Sequence, residues 1–269
     1  FTSAEFLSEP GRCLDHAQHV IVLTDEDEFS EYVNLAKTLN FSLGIIPLQA
    51  KSRLHKWFGI PATLEDAITL AFAADTTALD VARCNDEVVL GMVMLGETPF
   101  LDQRSKTYQN RQSSSYEHLV YWLVLVWTSL RNLMAIKPFA VTLTTGKDVT
   151  IRTAITGLVA IENDINSAAA RLINTTLSAQ DGKVSTILIA PKSIKDYLSF
   201  LLTSLFKGEQ QVKRLPPTVS YIKSQYLRIE ASQPLVYFVD GRRRESASIE
   251  LHLYPEAVRI NVGEIQQTG

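Results

Sequence analysis

Cysteine is scarce in this chain: Cys13 and Cys84 are the only two in 269 residues, and neither belongs to a CxxC-type pair. That excludes a disulfide scaffold and a structural zinc site, and both thiols read as reduced, buried side chains. Long apolar runs are missing too. The most apolar stretch, residues 119–130, is closed by Arg131 and falls well short of the roughly 20 residues a bilayer span needs. The opening Phe1-Thr2-Ser3-Ala4-Glu5 has neither the basic nor the apolar region of a signal peptide, so a cytoplasmic protein is expected. Positive charge is not in excess: 26 Lys and Arg stand against 29 Asp and Glu, a net charge of −3. This balance excludes a protein built to neutralise a nucleic-acid backbone. His16, His19, His55, His118 and His252 are scattered, none at metal-ligand or nucleophile–base spacing, so no metal site is expected.

What is present is an ordinary globular composition, with 46% hydrophobic and 20% charged residues. Its length suggests about two domains. Residues 1–80 alternate short apolar runs with helical stretches. Residues 20–23 and 43–47 read as buried parallel strands. Between them residues 28–39 form a helix with Phe29, Val33 and Ala36 inward and Asn40 at its end. After Gly59-Ile60-Pro61, the Thr63-Leu64-Glu65-Asp66 capping pattern starts a second helix that reaches about Ala74. Beyond Asp80 strands dominate. Residues 139–143 and 149–152 alternate as a hairpin, and residues 184–189, 219–229, 235–239, 248–253 and 258–262 qualify as strands. Helices starting at Ser114 and at Ser193 interrupt them. The fold class is therefore α/β plus all-β: an incomplete Rossmann-like α/β domain over residues 1–80, then a β-sandwich over residues 81–269.

Gly44-Ile45-Ile46-Pro47-Leu48, followed by Gly59-Ile60-Pro61, a capped helix and Leu79-Asp80-Val81-Ala82-Arg83, resembles the diacylglycerol and related lipid kinase family. Pro234-Leu235-Val236-Tyr237-Phe238-Val239-Asp240-Gly241, with Ile249-Glu250-Leu251-His252-Leu253-Tyr254-Pro255-Glu256-Ala257-Val258, is similar to that family's closing strands. The resemblance covers nearly the whole chain. It implies that about the first third of the usual N-terminal domain, with its first strand and Asn-Pro motif, is absent here. It also implies transfer of the ATP γ-phosphoryl group to a lipid hydroxyl in a cleft between the two domains, with ATP and magnesium as the cofactors of an active member.

Position by position, the resemblance places Thr24, Asp25, Glu26 and Asp27 where the family has Gly-Gly-Asp-Gly-Thr, so the glycines are missing and Glu26 keeps a carboxylate. Pro47-Leu48-Gln49-Ala50-Lys51-Ser52-Arg53 stands where the family has Pro-Leu-Gly-Thr-Gly-Asn-Asp. Gln49 and Lys51 thus replace glycines, and Arg53 replaces an acid. Glycine matters in such loops because a bare backbone lets N–H groups approach phosphate closely. Asp102 matches the Asp of a Gly-x-Asp-Ala segment, and Asp240 the Asp of the Asp-Gly-Glu turn, the family's proposed general base. The partner Glu is Arg242.

Each signal has a plainer reading. Acids at 25–28 are what any helix N-terminus prefers, Asp240-Gly241 is an ordinary hairpin turn, and Arg242-Arg243-Arg244 is a solvated face. With Arg53, those arginines are also a candidate site for phosphate or an anionic lipid headgroup. The reading adopted is a divergent lipid kinase-like protein with a degraded phosphate site and little or no kinase activity. It retains ligand or partner binding, touches a membrane at most peripherally, needs no cofactor and has an open oligomeric state. Two alternatives stand beside it: an active lipid kinase with Asp240 as general base, and a non-catalytic scaffold.

Overall fold

The structure is a computed structural model, and it describes residues 2–10, 14, 18–96, 138–147, 149–155, 157–161, 182–190 and 219–263. Asp102, Cys13, the apolar run 119–130 and the helices expected from Ser114 and Ser193 lie outside the described residues.

A short helix α1 (Ser3–Ser8), closed by a Thr2–Glu5 capping box, lays Phe6 against Tyr32 and Phe41. Strands β1 (His19–Thr24) and β2 (Ser42–Pro47) pair in parallel, with Val20 opposite Leu43 and Leu23 opposite Ile46. Helix α2 (Glu26–Leu39) connects them. Its first turn carries Glu26, Asp27 and Glu28 and its last turn Lys37, which suits the helix dipole. Phe29, Tyr32, Val33 and Ala36 form its buried stripe, and Asn40 ends it in the left-handed region at φ 57°. Strand β1 differs from the expectation of a buried strand. Leu23 is 56% exposed, because β1 has β2 on one side and no strand on the other among the described residues.

Helix α3 (Leu54–Phe58) buries Leu54, Trp57 and Phe58. Helix α4 (Leu64–Ala71) starts at Thr63, whose hydroxyl accepts from the Asp66 N–H. It stops three residues before the expected Ala74 because the Asn261 side chain donates to the Ala73 and Asp75 carbonyls, drawing the chain out of the helix.

The chain then enters β3 (Thr77–Cys84), β4 (Glu87–Val89), β5 (Met92–Gly96), β6 (Phe139–Thr145), β7 (Thr150–Ile155), β8 (Gly157–Ile161), β9 (Val184–Ile189), β10 (Val219–Ser224), β11 (Tyr226–Val239) and β12 (Arg242–Ile260). Pairs among β3 to β12 are antiparallel, and β12 also meets β2 in parallel through Arg259 and Ile260. Segments expected as separate strands are continuous. Residues 235–239 extend β11 beyond an irregularity after Glu230, and residues 248–253 and 258–260 are one strand with an irregularity between Tyr254 and Val258.

That second irregularity lies where β12 passes from one hydrophobic cluster to the other. Ile249, Leu251 and Leu253 of β12 are buried in one hydrophobic cluster; beyond the bulge Val258 and Ile260 are buried in the other. Buried positions change from odd to even because the two clusters lie on opposite faces of the strand; the irregularity inserts two residues relative to β3, with Tyr254 opposite Val81 and Val258 opposite Leu79, and so keeps the alternation. Strands β3 and β4 lie between the clusters: Leu79, Val81 and Val88 face the first, and Ala82, Cys84 and Val89 the second. The bulge is held by buried Asp80, whose carboxylate accepts from Glu256 N–H at 3.0 Å and Gly182 N–H at 2.8 Å. Glu256 itself sits at φ 49°. Cys84 is buried as expected. Burial, then the charges of Glu87 and Asp240, push its thiol up to about 12, which leaves it unreactive.

Helix α4 can lie on β2 because Gly44 has no side chain: a Cβ there would stand 2.3 Å from the Ala71 carbonyl oxygen. Gly44→Ala should therefore cost about 1–3 kcal/mol of stability. Gly146→Ala, whose new Cβ meets nothing closer than 3.4 Å, should stay within about 0.5 kcal/mol of wild type. Urea unfolding of both variants checks this.

Candidate functional site

The C-terminal ends of β1 and β2 and the turn between β11 and β12 meet at one cleft. Its walls include Glu26, Asp27, Arg53, Glu87, Asp240 and Arg242. Glu26 and Asp27 come from the start of α2, Arg53 from the residue before α3, and Glu87 from the first position of β4.

Asp240 occupies the tight turn in the left-handed region, at φ 49°. Its carboxylate does not open toward the cleft. It accepts three backbone N–H groups, from Leu90 at 2.7 Å, Gly91 at 2.7 Å and Met92 at 2.8 Å, while its own N–H donates to the Met92 carbonyl. Burial raises its pKa above the usual carboxylate range; those three N–H groups and then Arg53 pull the other way. Gly91 is needed beside it, since a Cβ there would lie 2.5 Å from the Trp57 ring and 3.0 Å from Asp240 Oδ1.

Around this turn each arginine meets an acid or a carbonyl. The Arg53 backbone N–H donates to Glu26, its Nε lies 3.5 Å from Glu26 Oε1, and its Nη2 donates to the Asp240 carbonyl at 3.2 Å. The guanidinium of Arg53 also stacks 4.9 Å from the Trp57 ring centre. Arg242 donates to the Asp27 carbonyl, is 3.3 Å from Asp27 Oδ1 and 3.8 Å from Glu87 Oε1. Arg244 grips Glu87 with two bonds of 2.8 Å. The space left between them holds about one water molecule.

The structure thus gathers Glu26, Asp27, Arg53, Asp240 and Arg242 in one place, and sets Arg244 behind them on Glu87. Thr24 is fully buried, and its hydroxyl donates to the Asp25 carbonyl. Asp25 accepts from Gln49 Nε2 at 2.9 Å, while exposed Lys51 is not among the cleft-lining residues. Arg243 turns to Glu245 at 3.3 Å. Sequence reasoning missed Glu87 and the Leu90–Met92 amides. A glycine at 91 inside an apolar run was the one local signal of close approach.

The family resembled in sequence implies a nucleotide and magnesium here, and the residues present do not fit them. A triphosphate needs open N–H groups and volume, yet the Arg53 N–H already holds the Glu26 carboxylate and the cleft admits about one water. Among the described residues, no three His, Cys, Asp or Glu side chains stand together as metal ligands.

No family model matches the chain. It is 23% identical over 245 residues, 90% of its length, to a Staphylococcus haemolyticus protein named a putative lipid kinase, 75% of which is covered. A Bacillus anthracis crystal structure titled a putative diacylglycerol kinase superposes with a TM-score of 0.68 at 13% identity, over 98% of this chain and 84% of that one. A second, titled a diacylglycerol kinase from the same organism, gives 0.65 at 12% identity over the same shares. The fold is that of the diacylglycerol kinases, an α/β domain with a β-sandwich, and the chain is diacylglycerol and lipid kinase-like, as its motifs implied. Among the described residues no helix is long and apolar enough to cross a membrane.

Asp240→Ala would leave three buried N–H groups without an acceptor, and should destabilise the fold by about 2–4 kcal/mol. The folded pKa of Asp240 is raised, so the folded state holds this proton more tightly than the unfolded one. Its contribution is therefore fully present below the ordinary Asp value of about 4 and declines as pH rises. In denaturant titrations, the stability gap between wild type and Asp240→Ala should narrow from pH 4 toward pH 7.

Proposed function

We propose that this lipid kinase-like chain acts by binding rather than by phosphoryl transfer. The observation that carries the reading is the cleft, closed by its own ion pairs with Glu26 seated on the Arg53 amide. Phosphoryl transfer depends almost wholly on positioning and charge neutralisation. Here Arg53 and Arg242 are spent on Glu26, Asp27 and Glu87. A triphosphate would have to break these contacts and then meet Glu26, Asp27 and Glu87 as like charges. A general base needs an oxygen free to take the proton of the lipid hydroxyl, and both oxygens of Asp240 already accept backbone N–H groups.

The binding that remains falls to the outer rim. Arg243, 62% exposed and 3.3 Å from Glu245, is the arginine an anionic headgroup reaches without dismantling the cleft. Arg242 and Arg244 take part only when an anion displaces Asp27 or Glu87.

Isothermal titration with magnesium-ATP should give no saturable heat up to about 1 mM, an affinity weaker than about −4 kcal/mol. Radiolabelled γ-phosphate should not pass to diacylglycerol above the enzyme-free blank. Turnover that Asp240→Asn abolishes while the fold persists would establish an active lipid kinase instead.

A further inference from the structure

Away from the cleft, the middle of β12 carries a second cluster of polar and aromatic side chains. Leu251 and Leu253 are buried in the sandwich cluster, so His252 and Tyr254 stand on the opposite face of the strand. Antiparallel pairing sets Tyr226 of β11 on one side of His252 and Arg83 of β3 on the other. The His252 ring meets Tyr254 edge to face with centres 4.3 Å apart, and the Tyr226 ring lies 6.1 Å from it. From the last turn of α2, Lys37 places its Nζ 3.1 Å above the centre of the Tyr254 ring. Arg83 is diagonal to Tyr254 on the ladder, about 7–8 Å away. Helix α2 and strands β3 and β12 thus bring two cations to one spot. All five side chains belong to partly exposed residues.

The charge at this spot is unbalanced. On α2 the positions three and four away from Lys37 are Val33, Asn34, Asn40 and Phe41, so no acid lies beside it on the helix. Glu250, diagonal to Arg83 on β12, is turned to Arg228 at 3.6 Å, and Glu87 is held by Arg244. Among the described residues, neither Lys37 nor Arg83 forms an ion pair. Arg83 spends one donor on the Asp86 carbonyl, and its Nε is buried with no partner. Burial, and then the charge of Arg83, hold Lys37 below the usual lysine range. The two cations therefore repel each other, and an anion between them would relieve the repulsion.

We infer that Lys37 and Arg83, with His252 and Tyr226 beside them, bind the phosphate of a phosphate monoester. Such a group carries about 1.5 to 2 negative charges at pH 7, which matches two cations, whereas a carboxylate would leave one unmet. The guanidinium fork and the ammonium supply charge-assisted hydrogen bonds. The His252 ring offers an N–H in either tautomer, and the Tyr226 hydroxyl is a further donor. This site is separate from the cleft and does not rest on the reading given for it: His252 stands well along β12 from Arg242, roughly 30 Å of strand.

Acetylation of Lys37 in the full chain reports occupancy. Lysines are labelled with an N-hydroxysuccinimide acetate at constant ionic strength, and each rate is read by mass spectrometry. Glycerol phosphate at about ten times its Kd should slow Lys37 by about tenfold, while exposed Lys147 keeps its rate. Arg83→Gln should abolish this protection with an unchanged circular dichroism spectrum; Arg83→Met, which keeps an apolar stem, serves if that variant misfolds. Arg243→Gln should leave the protection intact, so the outcome here is independent of the rim of the cleft. Vesicles containing phosphatidic acid, set against neutral vesicles, form a second arm. Protection by glycerol phosphate assigns a soluble ester, and protection by the acidic vesicles alone assigns a lipid phosphate. Protection by neither overturns the inference, as does protection that persists without the Arg83 guanidinium. Equal slowing by added chloride would reduce the effect to screening and overturn it too.

Discussion

Two hydrophobic clusters share one set of strands, packed on opposite faces of β3 and β12, so each strand buries one face along part of its length and the other face beyond. Alternation alone serves both, with Ile249, Leu251 and Leu253 of β12 on one face and Val258 and Ile260 on the other. The irregularity between Tyr254 and Val258 adds two residues to β12 against β3, with Glu256 in the left-handed region and its N–H turned out of the ladder. Asp80 accepts that N–H, and it sits where β3 passes from Leu79 and Val81 on one cluster to Ala82 and Cys84 on the other. Beyond this point β12 pairs with β2 through Arg259 and Ile260, which sets the parallel strands beside the sandwich.

The cleft inherits its geometry from the same arrangement. Because β12 ends beside β2, its beginning at Arg242 lies over the start of α2, and the β11–β12 turn drops between Arg53 and the Leu90–Met92 segment. Asp240 then fixes the turn to backbone amides, where its retention serves packing whatever its chemistry. The surrounding ion pairs are partly exposed, with Glu87 at 23% and Arg242 at 37%. Their individual worth is accordingly small; as a network they set the shape and charge of the cleft.

Much of the fold was legible because the signals were local. The Phe29–Val33–Ala36 stripe, the acidic first turn and Asn40 specify α2 within its own residues, and the branched runs specify β1 and β2. The hairpin at 139–155 likewise declared itself by alternation. The continuity of β11 and β12 was hidden, since a bulge breaks the period without marking itself: Pro234 and Pro255 look like strand ends and are not. At the cleft, resemblance brought Glu26, Arg53, Asp240 and Arg242 together. What escaped was every contact made over long sequence separation. Glu87 looks like any acid after a turn, and no pattern in residues 90–92 announces three N–H groups aimed at a carboxylate 150 positions away.

The crossed pairs in the cleft also bear on how such a sequence can change. The resembled family places acids at the positions of Arg53 and Arg242. Returning an acid to 53 alone would set it against Glu26, and to 242 alone against Asp27 and Glu87. Each single step therefore creates a like-charge contact before any compensating step is taken, and the substitutions are epistatic. An acid at either position calls for a second change at Glu26, Asp27 or Glu87, so the charges of the cleft can vary only as a set.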